Sequence, residues 1–312
     1  LFLRQAVFSN LIFARGDTLL YFYPYWAYRA QSLLAGRLPL WNPYLFMGAP
    51  FLANSQAGVF YPLNWPLIFF SPPVAVKISI VVHLVIAAWG AYALARRAFE
   101  LEPLPATFAA AVFALGGYLT AQVEHVNQLH GLAWMPLTLL MAYRVSRIAY
   151  RTSPIAYRGS HIADSSSLPV TRHPQGSLHQ SSLFHRSLFH SSLFHCSLFI
   201  VSLFIVSLSL QLTAGHTQTA FITLGACVTV ALFNTQYAIR NTRYAISDTR
   251  YAIRDTRYAI RDTRFAISYK PYALLGFGIF FSFALSAVQL LPTLELSRLS
   301  LRGGGLPLNE AV

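Results

Sequence analysis

Outside two repetitive tracts, the polar side chains able to do chemistry are few. Many of them fall in one set of loops and the block ends beside it: Asp17, Asn42, Asn54, Gln56, Glu124, His125, Asn127, His130, His216, Gln218 and Glu295, with Gln289 just inside the last apolar block. Carboxylates and imidazoles can take or give a proton near neutral pH, and both kinds are present. Asp17 is the only acidic residue in the first 99 positions. Taken alone, each of these reads as an ordinary loop residue. As a set they come from separate loops that fall on one side of a membrane. Polar groups at membrane depth are costly and tend to mark a cavity or pathway, so the set predicts a site at the water–lipid boundary.

The elements that must position these residues follow from composition. Hydrophobic residues make up 55% of the 312 and charged residues 11%, with a mean hydropathy of +0.48. A soluble domain carries about 25% charged residues. The apolar residues come in blocks long enough to cross a hydrocarbon core of about 30 Å. Six spans are expected, at Val74–Ala95, Leu104–Ala121, Leu129–Ser146, Leu193–Ala214, Thr217–Asn234 and Pro271–Leu291. Pro136 predicts a kink in the third. Cys196 and Cys227 both lie in apolar blocks and form neither a disulfide framework nor a metal spacing.

Lys and Arg give the orientation. Alternating spans divide the loops into two sets, and most of the 23 basic residues fall in 96–103, 147–192 and 235–270. The positive-inside rule places that set in the cytoplasm, and 1–73, 122–128, 215–216 and 292–312 outside. Topology and anchoring account for the net charge of +13, so no nucleic-acid partner is implied. The expected organisation is an exoplasmic segment 1–73, membrane helices over 74–146, a cytoplasmic low-complexity insertion 147–192, membrane helices over 193–234, a cytoplasmic heptad insertion 235–270, and a last helix with exoplasmic segment, 271–312.

Two tracts repeat. Ser-Leu-Phe recurs every five residues from Ser182 to Phe204, and Tyr237, Tyr244, Tyr251, Tyr258 and Phe265 mark a heptad, Tyr-Ala-Ile-Arg-Asp-Thr-Arg. Three apolar residues followed by four polar ones do not make a coiled-coil seam, so both read as low-complexity insertions. His185, His190 and His195 share the five-residue spacing and are a weak metal motif. By contrast, 16–73 is rich in aromatics, Pro and Gly. It lacks an uninterrupted span, yet is too apolar for a free linker. Residues 18–35 predict an amphipathic helix in the membrane interface.

At these residues a family resemblance emerges. The run from Gly16 to Pro62 resembles the first exoplasmic loop of YfhO-type bacterial membrane proteins. So do Gly116-Gly117-Tyr118, Trp134-Met135-Pro136-Leu137, Ala214-Gly215-His216-Thr217-Gln218-Thr219 and Gln289-Leu290-Leu291-Pro292-Thr293-Leu294-Glu295. The resemblance implies an all-α, polytopic transmembrane bundle of GT-C type with a large first exoplasmic loop, in a bacterial plasma membrane. It implies a glycosyltransferase that takes a sugar from a polyprenyl-phosphate donor to a cell-envelope glycan or polymer acceptor outside. Asp17 is then the expected base. His125, His130, His216 and Arg298 are candidates for the phosphate, and Tyr23 and Trp41 for stacking on a sugar. Glu124 and Glu295 are candidates for acceptor hydroxyls or a divalent cation, and Asn42, Gln56 and Gln218 for further substrate contacts. Related proteins are longer and this chain starts at Leu1, so it is expected to be a piece of a longer protein. A transporter or lipid flippase, for which His83 would be the mid-span ionisable group, and a non-catalytic or decayed membrane protein remain the alternatives.

Overall fold

The computed structural model describes residues 4, 9, 11–14, 16–151, 197–248 and 256–299. The chain divides into two compact units: Leu1–Leu140 with Val206–Gly225 and Phe280–Val312, and Met141–Ile205 with Ala226–Ile279.

The first unit opens with a π-helical turn, Thr18–Phe22, that runs into α1, Tyr23–Leu34. A short hairpin follows, β1 (Trp41–Asn42) against β2 (Ala49–Pro50), antiparallel with Trp41 opposite Pro50. Three 3₁₀ turns then lead to α2, Pro72–Arg97. Each proline-rich entry is used where a missing N–H costs nothing: Pro72 and Pro73 open α2, and Pro103 opens α3, Pro103–Leu115. Arg96 and Arg97 occupy the last turn of α2, where positive charge complements the helix dipole. The extended Gly116 separates α3 from α4, Gly117–Ala121, and a 3₁₀ turn, Gln122–Glu124, precedes α5, Val126–Arg151. The core joins Phe22, Tyr25, Trp26, Phe51, Val59, Val76, Ile80, Leu119 and Leu129, so α1 and the loop after it are packed onto α2 and α5.

The described chain resumes with α6, Ser197–Thr213, then α7, Thr217–Asp248, and α8, Thr256–Leu299. Within the first unit, Gln211 of α6 donates to Gly131 O (2.9 Å) and Thr223 Oγ1 (2.8 Å), and Gln289 of α8 donates to Leu52 O (3.0 Å). Within the second, Asn234 donates to Ser146 Oγ (2.7 Å), and Cys227 and Ala231 are buried.

Among the described residues, four helices are long and apolar enough to cross a membrane: Pro72–Arg97, Pro103–Glu124, Thr217–Tyr237 and Tyr269–Leu299. They coincide with the first, second, fifth and sixth expected spans. The third is helical, but Asn127, Gln128, His130, Arg144 and Arg147 dilute its apolar content and it is not among the four. Of the fourth, the described residues are helical over Ser197–Thr213. Residues 193–196 of that block, most of the 147–192 insertion and the His185–His190–His195 motif lie outside the described residues. Of the heptad tract, the described residues are helical, in α7 as far as Asp248 and in α8 from Thr256; a Tyr-Ala-Ile-Arg-Asp-Thr-Arg unit has neither Gly nor Pro and includes strong helix formers.

Candidate functional site

The beginning of the first helix is pinned to the turn between α4 and α5. The Thr18 hydroxyl donates toward Val123 O and Glu124 O, at 3.3 and 3.4 Å. Gly16 sits at φ +53°, and a Cβ there would lie 2.8 Å from Glu124 Oε2. Left-handed backbone and close approach together call for glycine. The pinning brings Asp17 Oδ2 to 3.5 Å from His125 Nε2, with both side chains half exposed. Although Asp17 stands at the position before the helix, it makes no capping hydrogen bond.

His216 belongs to the same rim. Its Nδ1 accepts from the Thr219 N–H (3.3 Å), and the Thr219 hydroxyl donates back to His216 O (2.8 Å), which caps α7. Partial burial, and then the proximity of His125, lower the His216 pKa. The adjoining Gly215 carbonyl accepts from Asn127 Nδ2 (3.2 Å) and Ser55 Oγ (3.4 Å). Thus four chain segments far apart in sequence meet here, and they bring Asp17, Glu124, His125 and His216 to one rim. Exposed Gln56 adjoins it: together with Asn127, His130 and Ala214 it lines a cleft of about 10 Å³, space for about one water molecule.

The other candidates sit elsewhere. Tyr23 is buried in the apolar core, which raises its phenol pKa. Trp41 is exposed and Asn42 buried in the hairpin, where Asn42 Oδ1 accepts from the Tyr44 N–H (3.0 Å). Gln218 is exposed in the first turn of α7, and Glu295 and Arg298 are exposed in the last turns of α8. No hydrogen bond or ion pair ties these last two to the rim among the described residues. Nor do three or more His, Cys, Asp or Glu side chains group there as a metal site.

Beneath the rim lies a buried polar network. His83 Nδ1 lies 2.7 Å from its own helix's Ser79 O; a carbonyl only accepts, so Nδ1 carries the proton. His83 Nε2 then accepts from the Tyr61 hydroxyl (2.6 Å), which itself accepts from Trp134 Nε1–H (2.7 Å). Ser79 Oγ is 2.7 Å from His130 Nε2, and the two imidazoles stack at 3.8 Å between centroids. The sequence reading placed His130 with the phosphate groups; here it is buried against Ser79, Tyr61 and His83. Burial raises the Tyr61 phenol pKa.

Arg29 was not singled out by the sequence. It is 2% exposed, donates from Nη1 to Ala57 O (2.8 Å) and lies 4.4 Å over the Trp26 ring, while its Nε has no hydrogen-bond partner among the described residues. Burial lowers its pKa. The signal that could have found part of this network is the Ser79/His83 pair, four apart on one helix face. Nothing local marks Arg29, because the segment that buries it lies nearly thirty residues away in the chain.

Compared with protein-family models, curated proteins and solved structures, the chain matches none.

Proposed function

We propose that the chain is a polytopic membrane glycosyltransferase of GT-C-like build that moves a sugar from a polyprenyl-phosphate donor to a cell-envelope acceptor on the exoplasmic side. The observation that carries this reading is the half-exposed Asp17–His125 pair, with Glu124 and His216 at the same rim, in a chain with four helices fit to span a membrane. The concentration of Lys and Arg in the opposite loops supports an outward-facing rim. The YfhO-like motifs of the first loop and of 214–219 support the donor class.

In the proposed reaction an acceptor hydroxyl attacks the anomeric carbon. The bond from that carbon to the phosphate oxygen breaks, and the polyprenyl phosphate leaves with the electron pair. Asp17 takes the hydroxyl proton. His125 and His216 are placed to hydrogen-bond the phosphate as its charge develops, and Glu124 can hold an acceptor hydroxyl. Buried His130 and Tyr23 have no part in this step. A divalent cation is not needed for the proton to be balanced.

A second reading, a transporter, is favoured by one observation: His83, His130 and Arg29 are ionisable groups buried together against a helix fit to span, which is where transport pathways carry such groups. Reconstituting the full chain in lipid nanodiscs with polyprenyl-phosphate sugars separates the two. Release of polyprenyl phosphate coupled to acceptor glycosylation is the expected result. Absence of turnover with every donor, together with solute or proton flux in liposomes that requires His83, would favour the transporter.

A further inference from the structure

The Trp41–Pro50 hairpin exposes an unusual amount of apolar surface. Tyr44 is 79% exposed, Phe46 91% and Met47 102%. Phe46 and Met47 also adopt left-handed backbone, φ +47° and +60°. Bulky residues seldom do this, because the left-handed backbone crowds the Cβ against the following carbonyl oxygen. The loop that carries them is fastened. At its base the Tyr28 hydroxyl donates to Trp41 O (2.6 Å) and the Phe51 N–H to Leu40 O (2.8 Å), and within the turn the Gly48 N–H donates to Leu45 O (2.6 Å). A Cβ on Gly48, at φ +120°, would fall 2.6 Å from the Trp41 ring, so strand and tip are pressed together. The strained tip is therefore held outward by the rest of the loop.

What it meets is indicated by charge. From Leu38 to Val76 there is no Asp, Glu, Lys or Arg. A water-facing loop or the polar rim of a protein interface carries charges; a segment that rests in lipid headgroups and upper acyl chains excludes them and concentrates Trp, Tyr and Phe. The same charge-free stretch contains exposed Trp65, Phe69 and Phe70 directly before α2 enters its apolar run at Pro72. The apolar surface of the loop thus continues in sequence into a helix fit to span.

We propose that the tip of this hairpin, Tyr44, Phe46 and Met47, inserts into the outer leaflet as a second, non-spanning membrane contact. This rests on the membrane reading of the chain and deepens the proposed function. Tyr28 ties the hairpin to α1, and the helical run containing α1 starts beside Asp17. Insertion of the tip would therefore hold the Asp17 rim at a fixed height over the surface from which a lipid-linked phosphate projects. The expected insertion depth is about 5–10 Å, that of interfacial segments.

The test uses the full chain in phosphatidylcholine–phosphatidylglycerol nanodiscs, with Cys196→Ser and Cys227→Ala and one cysteine added at a time for an environment-sensitive dye. Met47→Cys and, separately, Tyr44→Cys probe the tip. Arg37→Cys, on the charged flank, is the water control, and Val85→Cys, exposed midway along α2, is the lipid control. At positions 47 and 44 the dye should be quenched by lipids brominated high on the acyl chain and should resist aqueous iodide at least several-fold better than at 37. Quenching by iodide as complete as at 37, with no effect of brominated lipid, would place the tip in water and overturn the proposal. Protection from both quenchers would show that protein covers it, which overturns the proposal equally. If position 85 responds to brominated lipid while 44 and 47 do not, the hairpin proposal fails and the membrane reading stands.

Discussion

The rim around Asp17 and the network around His83 lie in the same unit and contain similar side chains, yet their settings are opposite. Asp17 and His125 face water, with Oδ2 and Nε2 3.5 Å apart. Tyr61, Ser79, His83 and His130 are buried, and each has a partner at 2.6 or 2.7 Å. A wet pair contributes little to stability but can reach a substrate. A buried polar network is costly to disturb and is closed to anything larger than water. The comparison teaches that, in this unit, ionisable side chains serve two purposes. The buried ones fasten the first loop to α2 and α5, and the exposed ones are left available.

Three substitutions test that division, beginning with the greatest loss of stability. Arg29→Ala removes a large buried side chain, its hydrogen bond to Ala57 O and its contact with Trp26. Truncating a large core side chain costs about 3 kcal/mol, so the unfolding midpoint in detergent should fall markedly. An unchanged midpoint would mean that Arg29 does not hold the loop. Tyr61→Phe keeps the ring but leaves Trp134 Nε1 and His83 Nε2 without their shared hydroxyl. The expected cost is about 1–3 kcal/mol, and a transfer rate per folded molecule close to the original would assign the network to folding. Loss of transfer with no loss of stability would instead move His83 and His130 into the chemistry.

The smallest effect belongs to His216, where rim and scaffold meet. Its pKa is lowered by burial and by His125, so the unfolded chain takes up the proton more readily. The stability it contributes is complete above the ordinary histidine value of about 6.5 and is lost as pH falls below it toward the lowered folded value. Protonation also ends the role of Nδ1 as acceptor for Thr219. His216→Asn retains a cap that does not titrate; the cap is worth about 1 kcal/mol. The midpoint of this variant should lose less between pH 7 and pH 5 than that of the unaltered chain. Equal losses would remove His216 as a source of acid sensitivity.

Much of the rim was legible in the sequence, and for a simple reason. Asp17, Glu124, His125 and His216 stand out as ionisable residues in apolar surroundings, and span alternation alone assigns them to one side. Their contacts were not legible. Thr18 bonding across to Val123, and Asn127 and Ser55 sharing the Gly215 carbonyl, depend on how separate helices pack. Trp41 and Tyr23 have the same aromatic character in sequence, yet one is exposed and the other buried, since their burial is decided by the turn of α1 and by the hairpin. The same limit applied to the spans. Four apolar blocks could be read by length and content, whereas α5 mixes polar with apolar residues along a largely buried helix, its buried Asn127, His130 and Ser146 being partnered through tertiary contacts.

The central claim is that the exposed pair does the chemistry, and Asp17→Asn tests it most directly. Asparagine preserves size and hydrogen bonding but cannot take the acceptor's proton. Because the Asp17 side chain caps no helix and faces water, the unfolding midpoint should not change. Transfer from a polyprenyl-phosphate sugar by the full chain in nanodiscs should fall by about 10²–10⁴-fold, the usual contribution of a general base, with donor binding retained. Transfer at the original rate would remove Asp17 from the mechanism and contradict the account.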